Sequence, residues 1–243
     1  MLEILYRDEH LVAIDKPAGL LVHRSDIDRH ETRFAVQLLR DQIGRRVQPV
    51  HRLDRGTSGV LLFAFDATTT RELSRQFEGD DVAKRYLALV RGWPPESGTI
   101  DHPLARLHDD YGRRYANAEP QPAVTHFRRL AVAELAVRID RYPTSRYALV
   151  ELRPETGRRH QLRRHMKHLA HPIIGDATYG KGRHNRLFSE RFGDGRMLLA
   201  CVELGFRHPA SGAPTVVRAG PGEAFANVLR HLGMAAPSAP HIS

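Results

Sequence analysis

The stretch 51-HRLDRGTSGVLLFAF-65 decides how this chain is read. Its second half, 59-GVLLFAF-65, is a continuous apolar run bounded by Gly59 and Asp66, the pattern of a buried strand. Its first half sets one carboxylate, Asp54, between Arg52 and Arg55, ahead of Thr57-Ser58-Gly59. Those three residues suit a tight turn whose side chains bond their own backbone. A charge cluster of this kind, standing alone, reads as a solvated loop. Beside a buried strand it reads equally as a carboxylate held rigidly at the mouth of a sheet, where reacting groups do best.

Working outward, residues 2–16 predict a hairpin, ILY and LVAI around a polar RDEH turn. It ends at 16-KPAG-19, because Pro17 lacks an amide donor and Gly19 permits a sharp turn. A helix follows with Thr32 as N-cap, Val36, Leu39 and Ile43 on one face, and Gly44 as its stop. Downstream, Asp66 caps a helix through Leu73 and Phe77 to Gly79. The segment 84-KRYLALVRG-92 is a strand with Tyr86, Ala88 and Val90 on one face. Residues 106–122 read as a long polar loop, and strands are expected at 124–130 and 147–153.

Next, 156-TGRRHQLRRHMKHLAHP-172 predicts a turn and then a helix over 158–168. Leu162, Met166 and Leu169 form its apolar stripe, and Arg159, Arg163 and Lys167 form a basic ridge beside it. Residues 181–196 read as a charged excursion outside the core, 197–206 as a strand. Strands and helices alternate without a strict βαβ rhythm, internal repeat or linker, so the fold class is α+β. One domain is expected over 1–234, with a flexible tail over 235–243.

The charge balance narrows the partners. Lys and Arg number 37 against 28 acids in 243 residues, a formal net of +9. A field of that sign favours polyanions, nucleic acid before membrane, since no basic amphipathic anchor stands out. Cys201 is the only cysteine, which excludes an intramolecular disulfide and a cysteine-based zinc site. His160, His165, His168 and His171 lack the intervening glutamate of a metalloprotease helix, so no metal is expected. Ser58 lies outside a Gly-x-Ser-x-Gly elbow, and 157-GRRHQLRR-164 lacks the ending of a phosphate-binding loop. The N-terminus has no signal-peptide core and no apolar run reaches membrane-spanning length, so a cytoplasmic chain with no membrane partner is expected.

Three positions carry chemistry. Asp54 is the first. Tyr86, between basic neighbours at a strand start, is either packing with a wet hydroxyl or an aromatic platform for a base. Arg163 follows Leu162 by about 100° of helical rotation, at the border between core and surface. It is either part of a solvated basic face or an arm reaching inward to a carboxylate.

The blocks 16-KPAGLLVH-23, 51-HRLDRGTSGV-60, 84-KRYLALVRG-92, 156-TGRRHQLRRH-165, 171-HPIIGDATYG-180 and 206-FRHP-209 together resemble the RluA family of pseudouridine synthases, over residues 1 to about 230. The HRLD-x-x-TSG block is the specific one; KPAG or TGR alone is weak. The similarity thins over 181–196, and the outward member of each arginine pair at 158–159 and 163–164 has no family counterpart. The resemblance implies a long, mixed, largely antiparallel sheet with flanking helices and a central cleft. No S4-like RNA-binding module is expected ahead of it.

By position the resemblance makes Asp54 the essential aspartate, Tyr86 the active-site tyrosine, and Arg163 the arginine paired with that aspartate. It also makes Arg52 the residue expected to fill the gap left by an extruded base; His51, Arg55, Lys84, Arg158, Arg159 and Lys167 are expected, apart from that positional match, to complete the RNA-binding set. No cofactor is implied. Within the family, 1-MLEILYRDEHLVAIDKPAG-19, 40-RDQIG-44, 121-QPAVTH-126 and 142-YPTSRYALVEL-152 resemble the branch acting on tRNA at uridine 65. The rivals are a 23S rRNA target, a non-catalytic RNA-binding protein that keeps the fold, and a nucleoside glycosidase. A monomer is expected.

Overall fold

The apolar run of the opening stretch forms a strand over Ser58–Ala64, buried at every residue. The computed structural model describes residues 1–24, 31–79, 81–106, 119–193 and 195–235. Most of the loop expected over 106–122, and all but the first residue of the tail over 235–243, lie outside them.

In chain order the first half comprises β1 (Glu3–Arg7), β2 (Leu11–Lys16), α1 (Ala35–Ile43), β3 (Gln48–Pro49), β4 (Ser58–Ala64), α2 (Ala67–Glu78) and β5 (Ala83–Arg91). There follow β6 (Ser97–Asp101), β7 (Leu104–Ala105), β8 (Pro120–Gln121), β9 (Val124–Leu135) and β10 (Ser145–Pro154). The last part holds α3 (Gln161–His168), α4 (Gly182–Phe192), β11 (Leu199–Arg207), β12 (Pro214–Arg218) and α5 (Glu223–His231).

Among the described residues, ten strands form one sheet whose main path runs β1-β2-β4-β11-β5-β10-β9-β6, with β3 beside β4 and β12 beside β11. Every pairing is antiparallel except β4 with β11, parallel through Ala200–Ser58 and Cys201–Gly59. The α+β class and the mixed, largely antiparallel sheet are therefore as expected. Alternation along β5 divides the core. Leu87 and Leu89 pack with Phe188 of α4 and with Phe225 and Val228 of α5. On the other face Ala88 and Val90, with Tyr86 beside them, meet Leu162 and Met166 of α3. A third cluster joins β1, β2 and β4 to Leu39 of α1 and Leu73 of α2. Among the described residues no helix is long and apolar enough to cross a membrane.

Local signals governed much of this. Asp8 Oδ1 accepts from the amides of His10 and Leu11 at 2.7 and 2.9 Å, closing the β1–β2 hairpin. Asp66 caps α2, its side chain accepting from the Thr69 amide at 2.8 Å. Three expectations need correction. Thr32 does not cap α1. The cap position is Phe34, and the Ala35 and Val36 amides donate instead to the Leu21 and Val22 carbonyls at 2.8 and 3.1 Å, so backbone supplies what a hydroxyl was expected to supply.

The helix expected over 158–168 starts at Gln161, preceded by His160 in the left-handed region (φ 55°, ψ 24°). Gln161 holds that turn, its Oε1 accepting from the Arg158 amide at 2.9 Å and the Thr156 hydroxyl at 2.8 Å. The basic ridge is therefore broken: Arg159 precedes the helix, Arg163 is buried and Lys167 is exposed. Finally, most of 181–196 is helix α4 rather than an excursion outside the core. His184 and Phe188 are buried, and the Phe188 ring meets Tyr147 edge-on at 4.8 Å. The spacing of His184, Phe188 and Phe192 by four is an apolar stripe that the charged neighbours conceal.

The parallel junction of β4 and β11 rests on Gly59. Its φ is +106°, and a Cβ there would lie 2.0 Å from the Cys201 carbonyl oxygen. Both the left-handed backbone and the contact oppose any side chain. Gly59→Ala is expected to lose about 3 kcal/mol or more, read as a lowered urea midpoint at constant slope. An unchanged midpoint means the two strands part here without cost.

Candidate active site

Asp54 sits in the turn that feeds β4. The Thr57 amide donates to the Asp54 carbonyl at 3.0 Å, closing the turn, and the Gly19 amide donates to the Arg55 carbonyl at 2.8 Å, tying the KPAG turn to it. Lys16 completes the tie from within. Fully buried, its Nζ donates to the carbonyls of Pro17, Leu20 and Arg55 at 2.9, 2.7 and 3.3 Å. Burial pulls Lys16 down to about 7, while the Asp54 charge opposes the shift. An ammonium among three carbonyls fixes a loop more firmly than apolar contact does, because its hydrogen bonds are directional.

The carboxylate itself is addressed by Arg163. Arg163 Nη1 donates to Asp54 Oδ2 at 3.0 Å, with 10% of the arginine side chain and 21% of the aspartate side chain exposed. The rest of the guanidinium is held by Asp176, Nε to Oδ2 at 2.7 Å and Nη2 to Oδ1 at 2.9 Å. Asp176 Oδ1 also accepts from the amides of Thr178 and Tyr179 at 2.9 and 3.0 Å. Burial alone would push Asp176 up; its bonds to Arg163 and to those amides outweigh burial and leave it below the ordinary carboxylate value. The Arg163 guanidinium is strengthened in turn: burial would lower it, and Asp176 and Asp54 raise it. A bidentate clamp of this kind permits one orientation of the fork and leaves Nη1 to aim at Asp54.

Two adjoining cavities, of about 330 and 480 Å³, share a wall made by Arg52, Leu53, Asp54, Arg159, His160 and Arg163. Tyr86 and Lys84 line the larger one. Tyr86 lies on β5 opposite Cys201 of β11. Burial first, and the neighbouring Cys201 next, raise the Tyr86 phenol well above its ordinary value, so it carries its proton at neutral pH.

The remaining positions named from the sequence fall in different settings. Arg52 is exposed and faces both cavities. Arg55 is turned toward Glu31, 2.5 Å away, and donates through Nε to the Gly19 carbonyl. Arg158 Nε donates to the Pro122 carbonyl at 3.1 Å, and Lys84 Nζ to the Glu155 carbonyl at 3.4 Å. Arg159 has a buried Nε without a hydrogen-bond partner among the described residues. The His51 ring is stacked on Phe77 at 4.4 Å, and its Nε2 accepts the Leu62 amide at 3.1 Å. Burial pushes His51 down to about 3, so it is neutral. Lys167 lines neither cavity; its Nζ lies 5.7 Å from the centre of the Tyr179 ring.

Sequence reasoning gave Asp176, Lys16 and Tyr179 no role and weighed His160 only as a metal ligand. The pair Gly175-Asp176 signals a turn, and Gly175 (φ +80°) approaches the Arg196 carbonyl so closely that a Cβ would lie 1.9 Å from it. Nothing in a turn signal names the arginine that Asp176 meets.

Chemically, the wall offers one carboxylate held by a clamped guanidinium and arginines suited to phosphates, and the larger cavity adds the neutral phenol of Tyr86. Residues 10–168 match the RNA pseudouridylate synthase family. The chain is 50% identical over 235 residues to tRNA pseudouridine synthase C of Vibrio cholerae serotype O1, covering 96% of each protein. It is 48% identical over 244 residues to tRNA pseudouridine synthase C of Yersinia pestis, covering all of this chain and 95% of the relative. Among solved structures, human RNA pseudouridylate synthase domain containing 4 superposes with a TM-score of 0.70 at 25% identity, covering 97% of this chain and 95% of that one. On sequence, fold and site together, the chain belongs to the RNA pseudouridylate synthase family.

Proposed function

We propose that this protein isomerises uridine to pseudouridine in tRNA, at uridine 65 of the T-stem, as a cytoplasmic monomer whose residues 1–234 form the catalytic unit. The observation that carries the chemistry is the Asp54–Arg163 pair on the wall between the two cavities, with buried Asp176 clamping Arg163 from behind. The tRNA substrate rests on the relatives' names, tRNA pseudouridine synthase C, and position 65 on the sequence blocks that resemble that branch.

The reaction breaks the N1–C1′ bond and rejoins the ring through C5, releasing the C5 proton. It consumes no water and needs no oxidant. The target must first leave the stack, which costs a few kcal/mol. The arginines around the cleft offset this through backbone phosphates, and Arg52, exposed at the shared wall, occupies the gap. Asp54 acts at the sugar, either attacking C1′ or removing the 2′ proton to give a glycal. Both routes use the free carboxylate, and the fixed Arg163 fork holds it at 3.0 Å and aims it. Tyr86 stacks on the extruded uracil, and its phenol, keeping its own proton, donates a hydrogen bond to the base rather than accepting the C5 proton. Exclusion of water keeps the isomerase from becoming a glycosidase.

Incubation with a tRNA transcript labelled with tritium at C5 of uridine is expected to release one equivalent of tritium and to leave pseudouridine at position 65. Free uracil among the products identifies a glycosidase. Release from 23S rRNA and not from tRNA moves the substrate, and no release from either RNA leaves a binding protein.

A further inference from the structure

Asp54 has two carboxylate oxygens, and Arg163 takes only Oδ2. Oδ1 faces His160, whose Nε2 lies 3.8 Å away. His160 is held from its other side. Its Nδ1 is 3.1 Å from the Tyr179 hydroxyl, the two rings meeting edge-on at 73°. The Tyr179 ring also lies 5.0 Å from the Arg163 guanidinium carbon. One tyrosine therefore braces both side chains that address the reacting carboxylate.

The backbone supports a dedicated role. His160 is one of two non-glycine residues with positive φ among the described residues. L-residues occupy that region at a cost, and such positions cluster at functional sites. Here the left-handed turn sets His160 on the wall shared by both cavities. The proton inventory gives the tautomer. A neutral imidazole has one N–H and one acceptor nitrogen, and a carboxylate only accepts. The lowest-energy assignment has the Tyr179 hydroxyl donating to Nδ1 and Nε2–H pointing at Asp54. Burial lowers His160 to about 4 despite the raising influence of Asp54, so the ring does not place a second full cation beside the carboxylate at neutral pH.

We propose that His160 is a positioning residue for the reaction: its Nε2–H closes on Asp54 Oδ1 when the nucleotide fills the cleft, Arg163 holds Oδ2, and Tyr179 sets the imidazole tautomer. The proposal rests on the reading of this site as a pseudouridine synthase. A resting gap of 3.8 Å is no obstacle, because hydrogen bonds around reacting groups are often long before substrate arrives. With both oxygens engaged, the carboxylate loses its freedom to rotate and presents the same lone pair to the sugar in each turnover.

The test compares three variants of the full chain in tritium release from tRNA. His160→Gly removes the side chain without straining the left-handed backbone, and is expected to lower kcat about 10- to 100-fold with KM within about threefold of the parent. His160→Gln restores an N–H at similar reach and should return kcat to within about fivefold of the parent. Tyr179→Phe leaves the ring over Arg163 and removes only the hydroxyl; kcat should fall by a smaller factor than in His160→Gly. A His160→Gly protein with the parent's kcat, or one altered in KM alone, overturns the role, as does a glutamine variant no better than glycine. A parent that releases no tritium overturns the activity itself, whereas an active parent matched by His160→Gly overturns only the part played by His160.

Discussion

Asp54→Asn is expected to release no tritium above background, a loss of about 10⁴-fold or more in kcat, while tRNA affinity in a filter-binding assay stays within about threefold. The change keeps the shape and removes the free carboxylate on which either chemical route depends. Folding should survive, because Arg163 keeps its two bonds to Asp176 and its charge stays paired. A neutral amide can still accept the Arg163 Nη1 proton, so the wall between the cavities stays in place. Loss of chemistry with retained binding is thus the signature of a group acting in the transition state. Turnover within about tenfold of the parent would show that the reacting group lies elsewhere on the wall.

Arg163→Met should combine two effects that can be separated. The first is loss of turnover, since Asp54 loses the cation that holds it. The second is instability at Asp176, whose side chain is fully buried. Removing the partner of a buried charge costs about 3–5 kcal/mol, partly relieved here by the Thr178 and Tyr179 amides. The pH dependence follows from the sign of the Asp176 shift. In the parent its folded pKa lies below the ordinary value. It therefore contributes stability that is present above the unfolded pKa and lost as pH falls through the folded one. Without Arg163, burial is left as the dominant influence and the folded pKa rises above the unfolded one. The penalty is then fully present at neutral pH and shrinks as the solution is acidified.

The gap in urea stability between Arg163→Met and the parent should accordingly narrow from pH 7 to pH 5. The double variant with Asp176→Asn should recover most of the stability and none of the turnover. Full recovery of activity in the double variant, or a double variant as unstable as the single one, contradicts the clamp.

What was legible in the sequence is what neighbours within a turn or two decide. The run 59–65 is a buried strand because every residue in it is apolar except Gly59. Asp66 caps α2 because its carboxylate reaches an amide three residues on. Tyr86, Ala88 and Val90 share a face because strand side chains alternate. Asp54 stood out from its flanking arginines and the turn behind it. Where distant backbone intervened, these local rules failed. The first amides of α1 had already been taken by Leu21 and Val22, and a charged stretch became α4 because Tyr147, on β10, offered Phe188 a place to pack.

By itself, then, the sequence marked most of the strands and helices that carry the site, and Asp54 as a candidate carboxylate on one of their turns. The resemblance named Arg163 as that carboxylate's partner, but only the tertiary structure brought the two together and supplied the Asp176 clamp, the Lys16 tie and His160. Arg163 lies 109 residues from Asp54 and 13 from Asp176 along the chain, and no periodicity relates the three. Their meeting is a matter of ångströms set by sheet order and by α3 packing on one face, and a hydrogen bond exists only where that packing brings donor and acceptor within about 3 Å.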